Sequence, residues 1–167
     1  MTNIQFIGIY KDISKESFVL ALSWIITSGL LLFFVSKTKI RHAWLIFLFK
    51  QFITWIFGLL VVEFGLIEYP VRIFEHASKT SFSFEYFVYP AICVIFNLHY
   101  PEKKNWRRQL MHYSYYCTAI TVIEVLIEKN TDLIAYIHWS WSLTWITLFI
   151  TFFASQEFYI WFFKPKN

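Results

Sequence analysis

Residues 63–85 read EFGLIEYPVRIFEHASKTSFSFE and lie between two long apolar runs. The stretch gathers Glu63, Glu68, Arg72, Glu75, His76, Lys79 and Glu85 in a chain otherwise poor in charge. Arg72, Glu75, His76 and Lys79 fall at i, i+3, i+4 and i+7, a spacing that puts them on one face of a helix. Ile73, Phe74 and Ala77 take the other face. Pro70 can open such a helix, because its missing N–H would be unsatisfied in the first turn anyway. Ser78, Thr80, Ser81 and Ser83 then mark a break before the next apolar run. The spacing predicts a short amphipathic helix over residues 70–80, lying at or dipping into a membrane interface. A solvated polar loop is the competing reading.

Working outward, the composition points to lipid. Of 167 residues, 57% are hydrophobic and only 16% charged, against roughly 25% charged in a soluble domain. Aromatic residues make up 23%, with 20 Phe suited to acyl chains. The 10 Tyr and 8 Trp are residue types that favour the headgroup level. The net charge of +4 comes from basic residues clustered in short loops. Membrane topology and anionic lipid account for that clustering, and no nucleic-acid partner is implied. Cys93 and Cys117 both fall inside apolar runs, so they read as small buried packing residues rather than a disulfide or a CxxC pair. Lys11 and Lys15 precede the first apolar run, but no A-x-A site follows it, so a cleaved signal peptide is not expected.

The apolar runs predict an all-α fold: one domain over 1–167, an integral membrane bundle of five transmembrane helices. After an arm carrying Ile4, Phe6, Ile7 and Ile9, the spans fall at about 17–35, 43–67, 82–100, 109–127 and 133–155. Each is long enough to cross ~30 Å of hydrocarbon. The short interfacial or re-entrant helix lies between the second and third. Pro90 falls inside the third, where neighbours must satisfy the carbonyl it frees. The fifth run continues apolar to Phe163, so it should tilt or leave the membrane near Gln156 and Glu157. Lys37, Lys39, Arg41, Lys103, Lys104, Arg107, Arg108, Lys164 and Lys166 make nine basic residues on one side; Lys11, Lys15, Arg72, Lys79 and Lys129 make five on the other. The richer side should be cytoplasmic, with the N-terminus outside and the C-terminus inside.

In that orientation Glu63, Glu85 and Glu124, on three helices, each sit about 4–6 Å inside an outer boundary at 1.5 Å per residue. His138 lies at about 8 Å by the same measure. Arg72, His76 and Lys79 belong to the same layer. Ionisable groups within a membrane usually face the bundle interior or a wet cavity. Glu63, Arg72, His76, Lys79, Glu85, Glu124 and His138 are therefore the candidate ligand-binding residues of an outward-facing polar pocket. Snorkelling to headgroup depth is the alternative. Glu85 is expected to be linked electrostatically to Arg72 or His76. Lys50, about 10 Å from the inner end of its helix, is expected to snorkel. Glu124 and Glu128, at i and i+4, repel unless a cation or proton lies between them. His112, Asn97 and His99 read as interfacial. Ser140, Thr144, Thr147 and Thr151 form a small-residue stripe of the kind that packs helices closely, and so a possible interface for a membrane-protein partner or a second copy.

Absent patterns narrow the chemistry. No H-E-x-x-H or G-x-S-x-G occurs, and the four glycines, Gly8, Gly29, Gly58 and Gly65, cannot build a P-loop or dinucleotide fingerprint. The only aspartates, Asp12 and Asp132, lie outside the spans, so no intramembrane aspartate pair is available. No Glu-x-x-His occurs for a di-iron carboxylate bundle. No cofactor and no metal site is implied.

The segment His76-Ala77-Ser78-Lys79, followed by Ser81-Phe82-Ser83-Phe84-Glu85-Tyr86-Phe87 and Pro90, together with Tyr136-Ile137-His138-Trp139, resembles a family of small, uncharacterised multi-pass membrane proteins of spore-forming Firmicutes. The resemblance covers most of the chain. It implies a bacterial cytoplasmic membrane protein and carries over no catalytic residue. The leading expectation is a non-enzymatic membrane protein whose outer pocket binds a small ligand, ion or lipid headgroup. The alternatives are an integral membrane enzyme or transporter subunit using Glu85, Glu124 and His76 in proton transfer, and a structural partner subunit.

Overall fold

The computed structural model describes the backbone of residues 2–74, 76–102 and 105–163, with side chains from residue 15 onward within those ranges. Glu75, Lys103, Lys104, Lys164 and Lys166, and the side chains of Ile4, Phe6, Ile7, Ile9, Lys11 and Asp12, lie outside the described residues. The order is α1 (Thr2–Phe34), a 3-10 turn (Lys37–Lys39), α2 (Ile40–Glu63), β1 (Ile67–Glu68), a π-helical segment (Phe82–Val88), α3 (Tyr89–Leu98), α4 (Trp106–Asn130), β2 (Ala135–Tyr136) and α5 (Trp141–Phe163). Among the described residues, four helices are long and apolar enough to cross a membrane; Phe82–Leu98 is a shorter apolar helix. Among the described residues the regular structure is all helix apart from one pair of two-residue strands. Leu32, Phe33, Phe64, Met111 and Tyr115 are among many large apolar side chains left exposed, the outward surface expected where lipid is the solvent.

Two apolar clusters hold the helices. One joins Ile46 of α2, Cys93 and Phe96 of α3, Cys117 and Ile120 of α4, and Leu148 and Phe152 of α5. The other sits at the end of the bundle covered by the 64–81 and 131–140 connections, hereafter the capped end. There Leu20 of α1 packs with Ile67, Tyr69, Phe84, Val88, Leu133 and Ile134. α1 rests on α3 and the π segment, with Trp24 stacked on Phe87 at 4.2 Å and donating to Ser83 Oγ at 3.1 Å.

The capped end departs from the sequence expectation. No helix forms among the described residues of 70–80. β1 pairs antiparallel with β2, Ile67 opposite Tyr136 and Glu68 opposite Ala135, and the Val71 amide donates to the Asp132 carbonyl. Those bonds draw the segment out along the second connection. Phe74 then takes φ 63°, a left-handed conformation that a helix does not continue through. The shared face expected of Arg72, His76 and Lys79 is lost with it. The same pairing explains why α5 begins at Trp141 rather than near 133: Leu133 and Ile134 are buried as caps of the bundle.

The third apolar run changes winding at its proline. Pro90 has no N–H and its ring crowds the carbonyl four residues back, which is that of Tyr86. The turns before it widen to π geometry. The freed carbonyls are met from α2: Gln51 Nε2 donates to Tyr86 O at 2.8 Å and Thr54 Oγ1 to Glu85 O at 2.7 Å. The Thr54 bond is part-buried and the Gln51 bond exposed, so the first carries more of the cost of an unmet acceptor, about 1–3 kcal/mol when buried. Gln51→Leu combined with Thr54→Val should therefore destabilise the detergent-solubilised protein by about 1–3 kcal/mol in thermal or denaturant melts. A double variant that melts with the wild type would show that other groups serve these carbonyls.

Candidate functional site

Below the cap lies a cavity of about 90 Å³ bordered by Lys50, Thr54, Gly58, Tyr69, Glu85, Tyr89, Glu124, Trp139, Thr144 and Thr151, among others. At ~30 Å³ per water, that is room for about three waters or one partly hydrated ion. α2 supplies Lys50 and Gly58, the π segment Glu85, α4 Glu124, and α5 the threonines. The two-strand ladder brings in Tyr136, whose register opposite Ile67 is fixed by the pairing.

Glu124, 7% exposed, is held by three hydroxyls. Tyr89 donates to Oε2 at 2.5 Å; Tyr136 and Thr144 donate to Oε1 at 2.5 and 2.8 Å. Trp139 Nε1 donates in turn to Thr144 Oγ1 at 2.8 Å. Glu85, 3% exposed, is provided for differently. Tyr69 donates to Oε1 at 3.0 Å and the buried Thr80 hydroxyl also lies by the carboxyl, while Oε2 is buried with no partner in hydrogen-bond geometry. Its carboxyl lies against the backbone of Gly58, where any Cβ would overlap it. Burial first, then the carboxylates of Glu85 and Glu124, push the Tyr69 phenol well above its ordinary range. Burial and then Glu124 do the same to Tyr136. Both phenols therefore stay protonated and act as donors.

Lys50 does not snorkel. It is 0% exposed, donates to Thr151 Oγ1 at 2.5 Å and lies 4.5 Å from the centre of the Phe152 ring. Its helix is in contact with α3 and α5 on its inward side, and the stem is enclosed before it can reach an interface. The ammonium borders the same cavity as the two carboxyl groups but spends its resolved contacts on α5 rather than on either of them.

Of the seven residues singled out from sequence, the structure brings Glu85 and Glu124 together at this cavity. Glu63, His76, Lys79 and His138 are exposed and do not border it. Arg72 is half-buried and donates through Nε to Ser78 O at 2.8 Å and through Nη1 to Tyr69 O at 2.7 Å. The expected link between Arg72 and Glu85 is therefore corrected: it runs through Tyr69, whose backbone Arg72 holds and whose hydroxyl reaches the carboxyl. Sequence reading missed Tyr69, Tyr89 and Tyr136, because a tyrosine near a span end reads equally well as belt or as ligand. It also set aside Lys50. The charge at mid-helix was the available signal. Thr144 and Thr151 of the small-residue stripe point inward, to Glu124 and Lys50. Asn97 is buried rather than interfacial and donates to Ser155 Oγ at 3.2 Å. Cys93 and Cys117 are both free and buried.

No protein-family model, no curated protein and no solved structure matches the chain. The site accordingly rests on its own geometry. Gly58→Ala should displace the Glu85 carboxyl and lower stability by about 1–3 kcal/mol, the usual cost of overpacking. Gly29→Ala, where a Cβ meets nothing within 4 Å, should be neutral or slightly stabilising, since Ala is the better helix former. Equal melting behaviour of the two variants would mean that Glu85 does not pack on Gly58.

Proposed function

We propose that the chain is a five-span protein of a bacterial cytoplasmic membrane, N-terminus outside and C-terminus inside, whose capped-end cavity binds one small cation. The observation that carries the binding reading is Glu85 Oε2: a buried carboxylate oxygen with no partner, beside a cavity that a second carboxyl group also borders. Burying a charge in a low-dielectric interior costs several kcal/mol unless another charge compensates it. Two carboxylates against the single ammonium of Lys50 leave the cavity one positive charge short. A proton or a small hard cation supplies it, with Tyr69, Thr144 and water as further oxygen ligands. Among the described residues no three or more His, Cys, Asp or Glu side chains converge. The donor set is thus poorer in charge and softness than transition metals prefer. His76, which the enzyme or transporter alternative pairs with Glu85 and Glu124, is exposed and does not border the cavity.

Membrane residence is supported by the four helices of sufficient length and apolarity. The bacterial assignment rests on the resemblance of residues 76–90 and 136–139, and the orientation on the basic asymmetry between loops. Reporter fusions after Lys103 and after Lys129 should report opposite sides of the membrane, inside and outside respectively. The same side for both would remove α4 as a span.

Cation binding is tested by thermal melts of the full chain in detergent, at fixed ionic strength, with lithium, sodium or potassium replacing N-methylglucammonium. A bound cation at 100 times its Kd stabilises by about 2.7 kcal/mol. One of the three should raise the melting temperature of the wild type, and Glu85→Gln should abolish that rise. Identical melts in all four salts at every pH from 5 to 9 would sink alkali-cation binding.

A further inference from the structure

We propose that the seam between α2 and α5 carries protons between the Glu85–Glu124 cavity and the opposite end of the bundle, with Ile46 as its plug; this rests on reading that cavity as a site for positive charge. The seam is visible as two polar stripes. On α2, His42, Ile46, Lys50, Thr54 and Gly58 recur every fourth residue and so share one face. On α5, Thr144, Leu148, Thr151, Ser155 and Tyr159 fall at i, i+4, i+7, i+11 and i+15. The two helices run antiparallel, and the stripes meet at two fixed points. Lys50 donates to Thr151, and His42 Nδ1 lies 3.0 Å from the Tyr159 hydroxyl. Between those points α3 adds Cys93 and Asn97, both within 3.3 Å of Ser155 Oγ.

Polar groups close to Ser155 on α3 and α5 are incompletely satisfied. Asn97 Oδ1 and both amide atoms of Gln156 are buried without a hydrogen-bond partner. Gln156 is 1% exposed. Buried polar atoms of this kind are normally met by internal water. The orphaned atoms lie on α3 and α5, next to Ser155 in sequence or hydrogen-bonded to it, on the side of Lys50 away from the carboxyl groups. From Thr144 to Tyr159 the seam covers about 22 Å at 1.5 Å per residue, most of the ~30 Å hydrocarbon layer. Titratable groups stand at both ends and midway: Glu85 and Glu124, then Lys50, then His42. Chains of ionisable side chains buried in membrane proteins commonly relay protons.

Each transfer conserves protons. The Lys50 ammonium first gives a proton to water held near Ser155 and Gln156, which passes it to the His42 imidazole and so to the aqueous phase, leaving a free amine. A carboxylic acid at Glu85 or Glu124 then gives its proton through cavity water to that amine, restoring the ammonium and leaving a carboxylate. Nothing else is consumed, and the transmembrane proton gradient sets the direction. Lys50 and His42 are eight residues apart, about 12 Å along α2, too far for a direct transfer. Ile46, 1% exposed, stands midway between them on the same stripe. Its side chain interrupts the polar line, so conduction is slow until it moves.

The test uses the full chain in liposomes of phosphatidylethanolamine and phosphatidylglycerol, with trapped pyranine and a potassium diffusion potential set by valinomycin. Wild-type vesicles should acidify faster than empty ones. Ile46→Ala should raise the rate by ~10-fold, equivalent to about 1.4 kcal/mol off the barrier. Lys50→Met should lower it ~10-fold or more, a loss expected when a relay group is removed. Thr151→Val, which keeps the amine, should lower it less; it stands in if Lys50→Met does not fold. No flux above empty vesicles from wild type and Ile46→Ala alike, in protein that still shows cation-dependent melting, would overturn the path and leave the cavity reading intact. Flux that survives both Lys50→Met and Thr151→Val would overturn it as well. Flux with the predicted pattern but no cation-dependent melting would overturn alkali-cation binding alone.

Discussion

Pro90 is the constraint on which the rest of the arrangement depends. A proline inside a buried helix removes one donor and crowds one carbonyl, and in hydrocarbon neither loss can be made good by solvent. The chain answers by widening the turns at Phe82–Val88 and turning two carbonyls toward α2, where Gln51 and Thr54 receive them. That contact draws the π segment close to α2. Closeness at that level is possible only because residue 58 has no side chain, and the space so made is filled by the Glu85 carboxyl. One backbone defect thus fixes the position of a buried carboxyl group with one oxygen unmet.

The capped end follows from the same placement. Glu85 Oε1 needs a donor, and Tyr69 provides it. Tyr69 can do so because Arg72 holds its carbonyl and because β1, just before it, is pinned to β2. β2 in turn brings Tyr136 over Glu124. The two connections that look like ordinary loops therefore act as a lid of hydrogen bonds, each connection carrying one phenol to one carboxyl group. A charged arginine sits in the lid without touching either carboxylate. Its part is to shape backbone, and the neutral hydroxyls do the contacting.

Much of this was legible from residues alone. Long apolar runs and sparse charge specified helices of membrane length, and the carboxyl groups of Glu85 and Glu124 were found by asking which charges fall within those runs. Pro90 was expected to need help from a neighbouring helix, and it has it. The losses have a common cause. Helical spacing of Arg72, His76 and Lys79 was a local signal, overridden by the pairing of residues 67–71 with 132–136, which are distant in sequence. The stripe at Ser140–Thr151 gave the right face of α5, but periodicity cannot say whether a polar face looks outward to a partner or inward to a buried charge. Lys50 was misplaced because a long stem can always be imagined reaching water. Only the surrounding helices decide that it does not.

The position of that lysine bears on why the site is not an ion pair. Had Lys50 met Glu85 or Glu124 directly, the charges would cancel and the interior would be inert, costly to assemble but closed to further chemistry. Instead the ammonium is drawn to a hydroxyl and a ring face on α5, contacts that stabilise a cation less than a carboxylate would. Glu124 is saturated by three donors and Glu85 is left with one oxygen unmet. The molecule thus holds opposite charges apart across a space the size of a few waters. Gly58, Tyr69 and Thr151 each hold one member in place: the glycine leaves the room that the Glu85 carboxyl fills, Tyr69 donates to that carboxyl, and Thr151 accepts from Lys50. That separation is what the proposed binding of a small cation or a proton rests on: one carboxylate oxygen left open beside a cavity that the ammonium borders without closing.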